Sequence, residues 1–318
     1  MLSEDNLNDF CKNGYVVIEN VLTPNEVSFI RTQFHQQLAS YGINHDKLLS
    51  GEDIMTDEPR IKGKPSHIFY NKWKIDAQIN EKVYGIVKEL LVNTFGKKIE
   101  HFNHPFGYFT DVVPYIDRVC YRLPDHIRAE GGLKPHIDRN PNDPYLEKSG
   151  GLKRWRPVQG LLTLTDHYGS SSGGIKVVKE FHKIDTEYFS KIPENQKKET
   201  GGEFHRLNPN THAKMINQLE AINAPCGSLV LWDNRLPHST CETLLSADTR
   251  EVIYMTYMPN IELNQEYFQR QSDSIKRNIA PPMYTTNNKD ANNKDICVDR
   301  NWEIDDLTSF QQKLLLSA

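Results

Sequence analysis

Apolar residues recur at helical spacing through much of the first hundred residues. Ser3 is placed to cap a short helix that ends at Asn13-Gly14, and Thr23-Pro24-Asn25-Glu26 has the pattern of a capping box with proline at the first helical position. Between them, the β-branched and aromatic run Tyr15-Val16-Val17-Ile18 predicts a strand. The apolar periodicity over about residues 75–95 predicts one further helix. The chain therefore begins with a layer of helices.

From about residue 105 to 260 the pattern changes to short β-type runs separated by Gly, Pro and Asp. This spacing favours an antiparallel sandwich or barrel over alternating strands and helices. A polar, weakly periodic stretch at 183–225 interrupts the pattern and is longer than an ordinary turn, which predicts a lid or a substrate-binding excursion. The candidate strands are Val112–Tyr121, Lys134–Asp138, Val158–Thr165, Ile175–Val178, Ser228–Trp232 and Glu251–Met258.

These patterns predict a single domain that is mainly β with a helical N-terminal layer. Its expected parts are the helical layer at 1–104, the β core at 105–261 with the insertion at 183–225, and a C-terminal extension at 262–318. The extension contains an Asn- and Lys-rich stretch at 287–295 that cannot pack a core. A length of 318 residues alone is compatible with one domain or two.

Composition narrows the class of protein. Hydrophobic residues make up 37% of the chain, which is enough to bury a core. The formal net charge of −4 excludes the global positive field of a protein that coats nucleic acid. No apolar run approaches the roughly 18–20 residues that span a bilayer, and the start lacks a signal-peptide pattern, so we expect a cytoplasmic protein without a membrane partner. Five scattered cysteines without a CxxC pair argue against a disulfide framework or a zinc ribbon.

The sharpest candidate for metal chemistry is the segment Lys134-Pro135-His136-Ile137-Asp138. Residues two apart on a strand point to the same face, so His136 and Asp138 can offer an imidazole and a carboxylate to one ion. Alone, the pattern also fits a hydrogen-bonded histidine beside a turn aspartate. His238 is the candidate third ligand, because a tight Pro-containing connection delivers it to the start of a strand. Two histidines and one carboxylate leave about three positions open on iron, an arrangement that favours oxygen chemistry.

Arg250 begins an otherwise apolar strand pattern and is the candidate anion ligand. An arginine there is costly to bury without an anion, and its planar fork suits a carboxylate. Arg235 competes for this role, although a tight connection is a poorer place for a rigid clamp than a strand. Gln159 and Thr163 share one face of their predicted strand.

In this order along the chain, four features resemble the phytanoyl-CoA dioxygenase family of Fe(II)- and 2-oxoglutarate-dependent oxygenases. They are His136-x-Asp138, the run Gly173–His182, the run Gly227–His238, and Arg250. The segment from Phe10 to Ile18 also resembles the start of that family. The resemblance spans about residues 10–260 and implies a double-stranded β-helix, which is a jelly-roll or cupin-like barrel with the metal at one mouth.

The resemblance also implies the roles of individual residues. His136, Asp138 and His238 would bind Fe(II), and Arg250, with Arg235 as the alternative, would hold the distal carboxylate of 2-oxoglutarate. Gln159 and Thr163 are expected to contact this cosubstrate. With O2, the implied reaction hydroxylates a C–H bond of a small-molecule substrate and releases succinate and CO2. Asp138 argues against halogenation, because the related halogenases carry a small, non-coordinating residue at that position.

The alternative is a non-catalytic β-barrel module that keeps a metal site or a pocket in order to bind a ligand or a partner. No motif specifies the substrate, and no pattern indicates the oligomeric state. The run Lys153-Arg154-Trp155-Arg156 is favoured as a solvated loop, with a basic site mouth that attracts an anionic substrate as the alternative.

Overall fold

The computed structural model describes residues 2–52, 68–97, 102–142, 152–197, 205–282, 298 and 300–316, with the backbone alone at 147–149. The Asn- and Lys-rich stretch at 287–295 lies outside these residues. The helices are α1 (Glu4–Asn13), α2 (Pro24–Ser40), α3 (His45–Ser50), α4 (Lys72–Gln78), α5 (Glu81–Thr94), α6 (Asp185–Ser190), α7 (Glu194–Lys197), α8 (Ala213–Ile216), α9 (Glu262–Lys276) and α10 (Ser309–Leu316). The strands are β1 (Tyr15–Ile18), β2 (Val112–Arg122), β3 (His136–Ile137), β4 (Glu147–Ser149), β5 (Leu152–Arg154), β6 (Val158–Thr163), β7 (Ile175–Val177), β8 (His205–Arg206), β9 (Glu220–Ala221), β10 (Leu229–Asp233), β11 (His238–Thr240) and β12 (Arg250–Pro259).

The first two helices start and stop where the capping pattern predicts. The Ser3 hydroxyl accepts a hydrogen bond from the amide of Asn6, and α1 ends at Gly14 in the left-handed conformation with φ of 79°. Thr23 and Glu26 form a reciprocal capping box at the start of α2. Both predictions are confirmed, because each depends on hydrogen bonds within a few residues of the chain.

The helix predicted over 75–95 is instead two helices, α4 and α5. Ile79 leaves the helical conformation with ψ of 75°, and the Asn80 side chain accepts a hydrogen bond from the amide of Val83 to start α5. Ile79 is nevertheless buried and keeps its place in the apolar pattern. The periodicity therefore conceals the break, which is marked only by the capping preference of asparagine.

Two five-stranded antiparallel sheets form the centre of the structure. The first has the order β1-β10-β6-β12-β2, and the second has the order β8-β3-β11-β7-β9. The side chains of β10 point alternately into two different cores. Val230 and Trp232 pack between the sheets with residues of the second sheet such as Ile137, whereas Leu229 and Leu231 belong to the core that the first sheet shares with α1, α2 and α5.

The antiparallel sheets confirm one part of the predicted fold class, but the described chain is a mixture of helices and antiparallel sheet and is not mainly β. Helices also occur in the insertion and, as α9, directly after the β core, where polar residues hid their periodicity. Within the residues that the structure describes, strand pairing does not close either sheet into a barrel.

The insertion at 183–225 is built into the second sheet. It supplies both edge strands, β8 and β9, and β8 pairs with β3 so that Arg206 lies opposite His136. A buried ion pair between Arg139 and Asp185 joins α6 to the residue that follows Asp138. This segment therefore forms part of the wall of the site next to β3.

The C-terminal extension packs against the helical layer. Trp302, Leu307 and Leu314 share a buried cluster with Ile75 and Ile79. α10 thereby fixes the helices that cover one end of the first sheet. Of the helices described, none is both long enough and apolar enough to cross a bilayer.

Candidate metal centre

The second sheet brings His136, Asp138 and His238 together. β3 and β11 are antiparallel neighbours with His136 directly opposite His238, and Asp138 follows two residues after His136. The Nε2 atom of His136 lies 3.3 Å from Asp138 Oδ1, and the Nε2 atom of His238 lies 3.7 Å from Asp138 Oδ2. One ligand atom from each residue lies within 4.8 Å of the others. Three side chains from distant parts of the sequence therefore face one point.

Backbone carbonyls fix the orientation of both imidazoles. His136 Nδ1 lies 2.8 Å from the Lys134 carbonyl oxygen, and His238 Nδ1 lies 3.0 Å from that of Leu236. Because a carbonyl oxygen can only accept, each Nδ1 donates a hydrogen, which leaves Nε2 as the nitrogen that would bind a metal. Both Nε2 atoms lie on the Asp138 side of their rings, as in metal sites whose histidines are oriented by backbone carbonyls.

The electrostatic setting favours the protonation states that a metal needs. Burial opposes ionisation of Asp138, but the nearby His136, His238 and Arg156 and a hydrogen bond from Gln159 outweigh it and lower the pKa of Asp138 to about 2. Burial, followed by the neighbouring His136, lowers the pKa of His238 to about 4. At neutral pH Asp138 is thus a carboxylate and His238 a neutral imidazole. Two imidazoles and one carboxylate are a ligand set that fits Fe(II) and leaves other coordination positions of the metal open.

The triad lies in a cavity of about 520 Å³ between the two sheets. Gln159 and Arg250 also line it, from β6 and β12. Trp232 and Tyr254 are further lining residues that the sequence analysis did not select. Strand alternation could have identified both residues. Trp232 lies two residues after the buried Val230, and Tyr254 lies four residues after Arg250, so alternation places each on the same face as the earlier residue.

The two polar residues predicted on β6 have different surroundings. Gln159 donates a hydrogen bond from Nε2 to Asp138 Oδ2 and lines the cavity. Thr163 is outside the cavity lining, and its hydroxyl donates to the Pro225 carbonyl oxygen at 2.6 Å and accepts from the Ser228 amide. Thr163 thus joins β6 to the connection before β10, and its contact with a cosubstrate stays a prediction.

Part of the Arg250 guanidinium has no hydrogen-bond partner among the residues that the structure describes. The residue is 3% exposed, and its Nη1 atom contacts Cys120 Sγ at 3.0 Å and the Tyr254 hydroxyl at 3.3 Å. Among the described residues, its Nε and Nη2 atoms have no hydrogen-bond acceptor. Gly173 makes room for this side chain, since a Cβ atom there would lie 3.2 Å from Arg250 Cδ.

Arg235, the alternative anion ligand, is engaged elsewhere. Its Nε and Nη2 atoms donate to the two carboxylate oxygens of Asp233 at 2.8 and 2.6 Å. It does not belong to the cavity lining. The ion pair braces the connection that delivers His238 to β11.

The two arginines of the run Lys153-Arg154-Trp155-Arg156 are buried, so the run is not the solvated loop that was favoured. Arg154 is buried, with its guanidinium carbon 5.8 Å from the ring centre of Tyr115 and 5.4 Å from that of Tyr267. Arg156 is 4% exposed, lies 4.6 Å from the ring centre of Tyr115 and lines the metal cavity. Its Nη2 atom is 4.0 Å from Asp138 Oδ2. Aromatic rings that come from distant segments bury these cations, and the local sequence does not show them.

A second group with metal-ligand chemistry, His35, His45 and Glu251, also has its ligand atoms within 4.8 Å. Glu251 already accepts hydrogen bonds from Arg31, His35 and Thr249, which fill its carboxylate oxygens. The guanidinium of Arg31, 3.0 Å from Glu251, would also repel a cation. This cluster is an ion-pair network that fastens α2 to β12.

Comparison with known proteins supports the fold. No protein-family model matches this chain, and a search of curated protein sequences found no match. GlcNAc Inducible Gene 2, GIG2 (DUF1479), from Candida albicans has a similar structure, with a TM-score of 0.75, 15% sequence identity, and coverage of 99% of this chain and 77% of that chain. Protein JW0805 from Escherichia coli is similar with a TM-score of 0.67 and 16% identity over 98% of this chain and 82% of that chain. At these identities the likeness shows a shared fold alone.

Weaker structural neighbours include proteins solved with 2-oxoglutarate bound. HygX from Streptomyces hygroscopicus, with nickel and 2-oxoglutarate bound, has a TM-score of 0.49 and 14% identity, covering 82% of this chain and 88% of that chain. A TM-score below 0.5 carries no argument about this chain. The case for its chemistry therefore depends on its own residues.

Proposed function

We propose that the protein is an Fe(II)- and 2-oxoglutarate-dependent dioxygenase that hydroxylates a C–H bond of a small molecule. In this reaction, one oxygen atom of O2 enters the substrate as a hydroxyl group, and the other enters succinate as 2-oxoglutarate loses CO2. One observation carries the proposal: the ligand atoms of His136, Asp138 and His238 converge within 4.8 Å in a cavity that also contains the buried guanidinium of Arg250.

The three ligands would hold Fe(II) through His136 Nε2, His238 Nε2 and the Asp138 carboxylate. Bound there, the iron would supply the site at which 2-oxoglutarate chelates and O2 is activated. The carbonyl oxygens of Lys134 and Leu236 keep both rings in position. Gln159 holds one Asp138 oxygen, so the carboxylate is oriented before a metal binds.

Arg250 would bind the distal carboxylate of 2-oxoglutarate. Its unpartnered Nε and Nη2 atoms form the edge of a planar fork, which matches a carboxylate in a bidentate arrangement. A buried guanidinium is costly without an anion, so a ligand carboxylate would offset that cost. The Tyr254 hydroxyl and Cys120 Sγ hold the other side of the group.

We also infer membership of the phytanoyl-CoA dioxygenase-like group and a double-stranded β-helix core. The order of the motifs along the chain supports this inference, as do two antiparallel sheets that pack face to face around the metal ligands. The size of the cavity fits a small-molecule substrate, since ligand pockets span about 300–1,000 Å³. The observed volume is about 520 Å³.

The rival function is a binding module that retains the metal site without turnover. It shares the prediction of metal binding, but it does not predict that 2-oxoglutarate is consumed. Formation of succinate by the iron-loaded protein in the presence of O2 separates the two, with the His136→Ala variant as the blank.

The test begins with anaerobic calorimetry of Fe(II) binding. His136→Ala and His238→Ala should each weaken Fe(II) binding by more than about 100-fold, beyond the 10- to 100-fold typical of outer partners of a metal ligand. His126→Ala is the matched control, because this histidine is exposed and lies outside the cavity lining. 2-Oxoglutarate should then bind the iron-loaded protein. Unchanged Fe(II) affinity in both site variants, or failure of 2-oxoglutarate to bind, would overturn the proposal.

A further inference from the structure

We infer that the substrate carries a neutral hydroxyl group, which Trp232 and Gln159 hold beside the metal site. This inference rests on the proposed function, since it concerns the molecule that is oxidised in the same cavity. It assigns one hydrogen-bond donor and one hydrogen-bond acceptor of the protein to the substrate, and it leaves Arg250 to 2-oxoglutarate.

Trp232 and Gln159 are direct neighbours on the first sheet. Trp232 of β10 lies opposite Gln159 of β6 in the antiparallel pairing, and both residues line the cavity. The Cβ atoms of residues at directly opposite positions are only about 4.5–5.5 Å apart, and their side chains lie on the same face of the sheet. The two side chains can therefore contact the same group of a ligand.

Both side chains carry a buried polar atom that has no hydrogen-bond partner among the described residues. These atoms are the indole Nε1 of Trp232 and the amide Oε1 of Gln159. The two residues are 4% and 3% exposed, respectively. A buried polar group without a partner is unfavourable, so the pair favours a ligand that supplies a partner to both atoms.

The contact of Gln159 with Asp138 fixes which end of the amide faces a ligand. Nε2 donates a hydrogen bond to the Asp138 carboxylate, so Oε1 is the atom that still needs a donor. 2-Oxoglutarate offers only acceptors, in its two carboxylates and its keto oxygen. A contact of Gln159 with this cosubstrate would therefore use the second Nε2 hydrogen, and Oε1 is left for a different molecule.

A hydroxyl group matches both atoms. Its oxygen can accept a hydrogen bond from the Trp232 indole N–H, and its hydrogen can be donated to Gln159 Oε1. A carboxylate has no hydrogen to donate to Oε1, and an ammonium group cannot accept from Nε1. A carboxamide can do both, but it brings a second N–H hydrogen that needs a further acceptor, so the pair favours the hydroxyl.

Contacts with two of the proposed metal ligands place this pair close to the chemistry. Gln159 is hydrogen-bonded to Asp138, and the Trp232 ring centre lies 5.6 Å from that of His238. Apolar residues such as Leu161 line the same cavity. A hydroxyl held by the pair would thus orient an apolar carbon skeleton beside the metal and select the C–H bond that is oxidised.

The test uses cyclohexanol as the probe on protein saturated with Ni²⁺ and 2-oxoglutarate. Chlorocyclohexane has a similar shape and no hydroxyl group, whereas methoxycyclohexane keeps the acceptor oxygen and lacks the hydrogen. NMR titrations give the affinity of each probe for the wild type and for the variants. Each variant is judged by its effect on cyclohexanol relative to its effect on a comparison probe, because this ratio cancels the different hydrophobicities of the probes.

Two variants test the two atoms separately. Trp232→Phe keeps an aromatic ring without Nε1 and should weaken cyclohexanol binding about fivefold or more relative to chlorocyclohexane. Gln159→Met removes Oε1 and should weaken cyclohexanol binding about fivefold or more relative to methoxycyclohexane. Trp73→Phe is the matched control and should change neither ratio. Its Nε1 is also buried without a partner among the described residues, but Trp73 lies outside the cavity lining.

Several results would overturn the inference. Equal effects on both probes in either variant would show that the atom removed does not bind the hydroxyl. A metal-bound water that donates to Oε1 gives this result for Gln159→Met. A loss of 2-oxoglutarate affinity in Trp232→Phe with cyclohexanol unaffected would assign the indole N–H to the cosubstrate. Selective effects on cyclohexanecarboxamide in place of cyclohexanol would assign the pair to a carboxamide.

Other outcomes keep the inference separate from the proposed function. The absence of cyclohexanol binding to the wild type at the solubility limit refutes the hydroxyl site even when 2-oxoglutarate binds normally. Failure of 2-oxoglutarate to bind the Ni²⁺-loaded wild type refutes the proposed function instead. If Trp232→Phe does not fold, the comparison of cyclohexanol with methoxycyclohexane in Gln159→Met still decides whether a substrate hydroxyl is bound.

Discussion

Replacement of Arg250 by lysine tests how 2-oxoglutarate is held. Lysine keeps the positive charge but removes the planar fork, so it cannot reproduce two parallel hydrogen bonds to one carboxylate. The native side chain is 3% exposed and has two nitrogen atoms without a protein acceptor among the described residues. A ligand carboxylate would therefore accept hydrogen bonds that no group in the described part of the chain accepts.

The expected loss follows from this burial. A bidentate, largely desolvated carboxylate contact contributes on the order of 2–4 kcal/mol, so Arg250→Lys should weaken 2-oxoglutarate binding roughly 30- to 1000-fold. Arg235→Lys is the matched comparison, because Arg235 is paired with Asp233 and lies outside the cavity lining. Its effect should stay within about threefold, since lysine still faces the Asp233 carboxylate.

The assay is the dissociation constant of 2-oxoglutarate in the anaerobic Fe(II) complex of each variant. Thermal melting checks that both variants fold, and Fe(II) titration checks that the metal ligands are intact. If Arg250→Lys binds within threefold of the wild type while Arg235→Lys loses binding, the assignment is reversed. A threefold change is only about 0.6 kcal/mol and is too small for a lost fork contact.

Three further predictions concern the stability of the fold and the position of the strand that carries His238. Burial lowers the pKa of Lys74 from 10.5 to about 7, so the unfolded state binds more protons between these values. The free energy of unfolding should therefore rise with pH, by about 0.7 kcal/mol per pH unit at pH 7 and by about 1.4 kcal/mol per pH unit from pH 8 to 9. Chemical denaturation of Lys74→Met should show this slope removed, and an unchanged slope would show that Lys74 does not cause it. Arg139→Met leaves the buried Asp185 carboxylate unpaired and should lower the free energy of unfolding by about 3–5 kcal/mol in urea denaturation. The double variant with Asp185→Leu should recover most of this loss. Equal losses in the single and double variants would argue against a stabilising ion pair. A Cβ atom on Gly132 would overlap the Thr240 carbonyl oxygen, so Gly132→Ala should displace β11 and lower Fe(II) affinity by about 10-fold or more in calorimetry. Wild-type affinity in this variant would show that the contact does not position the metal ligands.

The sequence was informative where chemistry depends on local spacing. The two-residue interval between His136 and Asp138 predicts a shared face, and the structure brings both to one point with His238. The turn before His238 was recognisable from its proline and its polar residues. The pairing that places His238 directly opposite His136 joins segments about a hundred residues apart. The local pattern selected His238 as a candidate ligand, but it did not specify which strand pairs with β11.

Other features depend on contacts that a linear pattern does not contain. Arg156 lines the cavity because the Tyr115 ring of β2 supports it, and a local run of basic residues gives no sign of that ring. On β12 a shift in register between Ile253 and Met255 ends the simple alternation. Strict alternation would place Thr256 on the face of Arg250, but its hydroxyl donates a hydrogen bond to the Val158 carbonyl oxygen. A bulge of this kind is set by the pairing with neighbouring strands and is not visible in the alternation.

The position of the candidate site between two sheets explains why the helical layer bears on its chemistry. The metal ligands belong to the second sheet, whereas Arg250 and Gln159 belong to the first, so their spacing depends on how the two sheets pack. Arg250 and the next residue, Glu251, point to opposite faces of β12. Glu251 is fully buried on the helical side, where Arg31 and His35 of α2 hold its carboxylate at 3.0 and 2.7 Å. β12, which carries the arginine proposed to bind 2-oxoglutarate, is thus fastened to α2 on the face opposite Arg250. The ion pair that fastens it, Arg31 with Glu251, does not line the cavity.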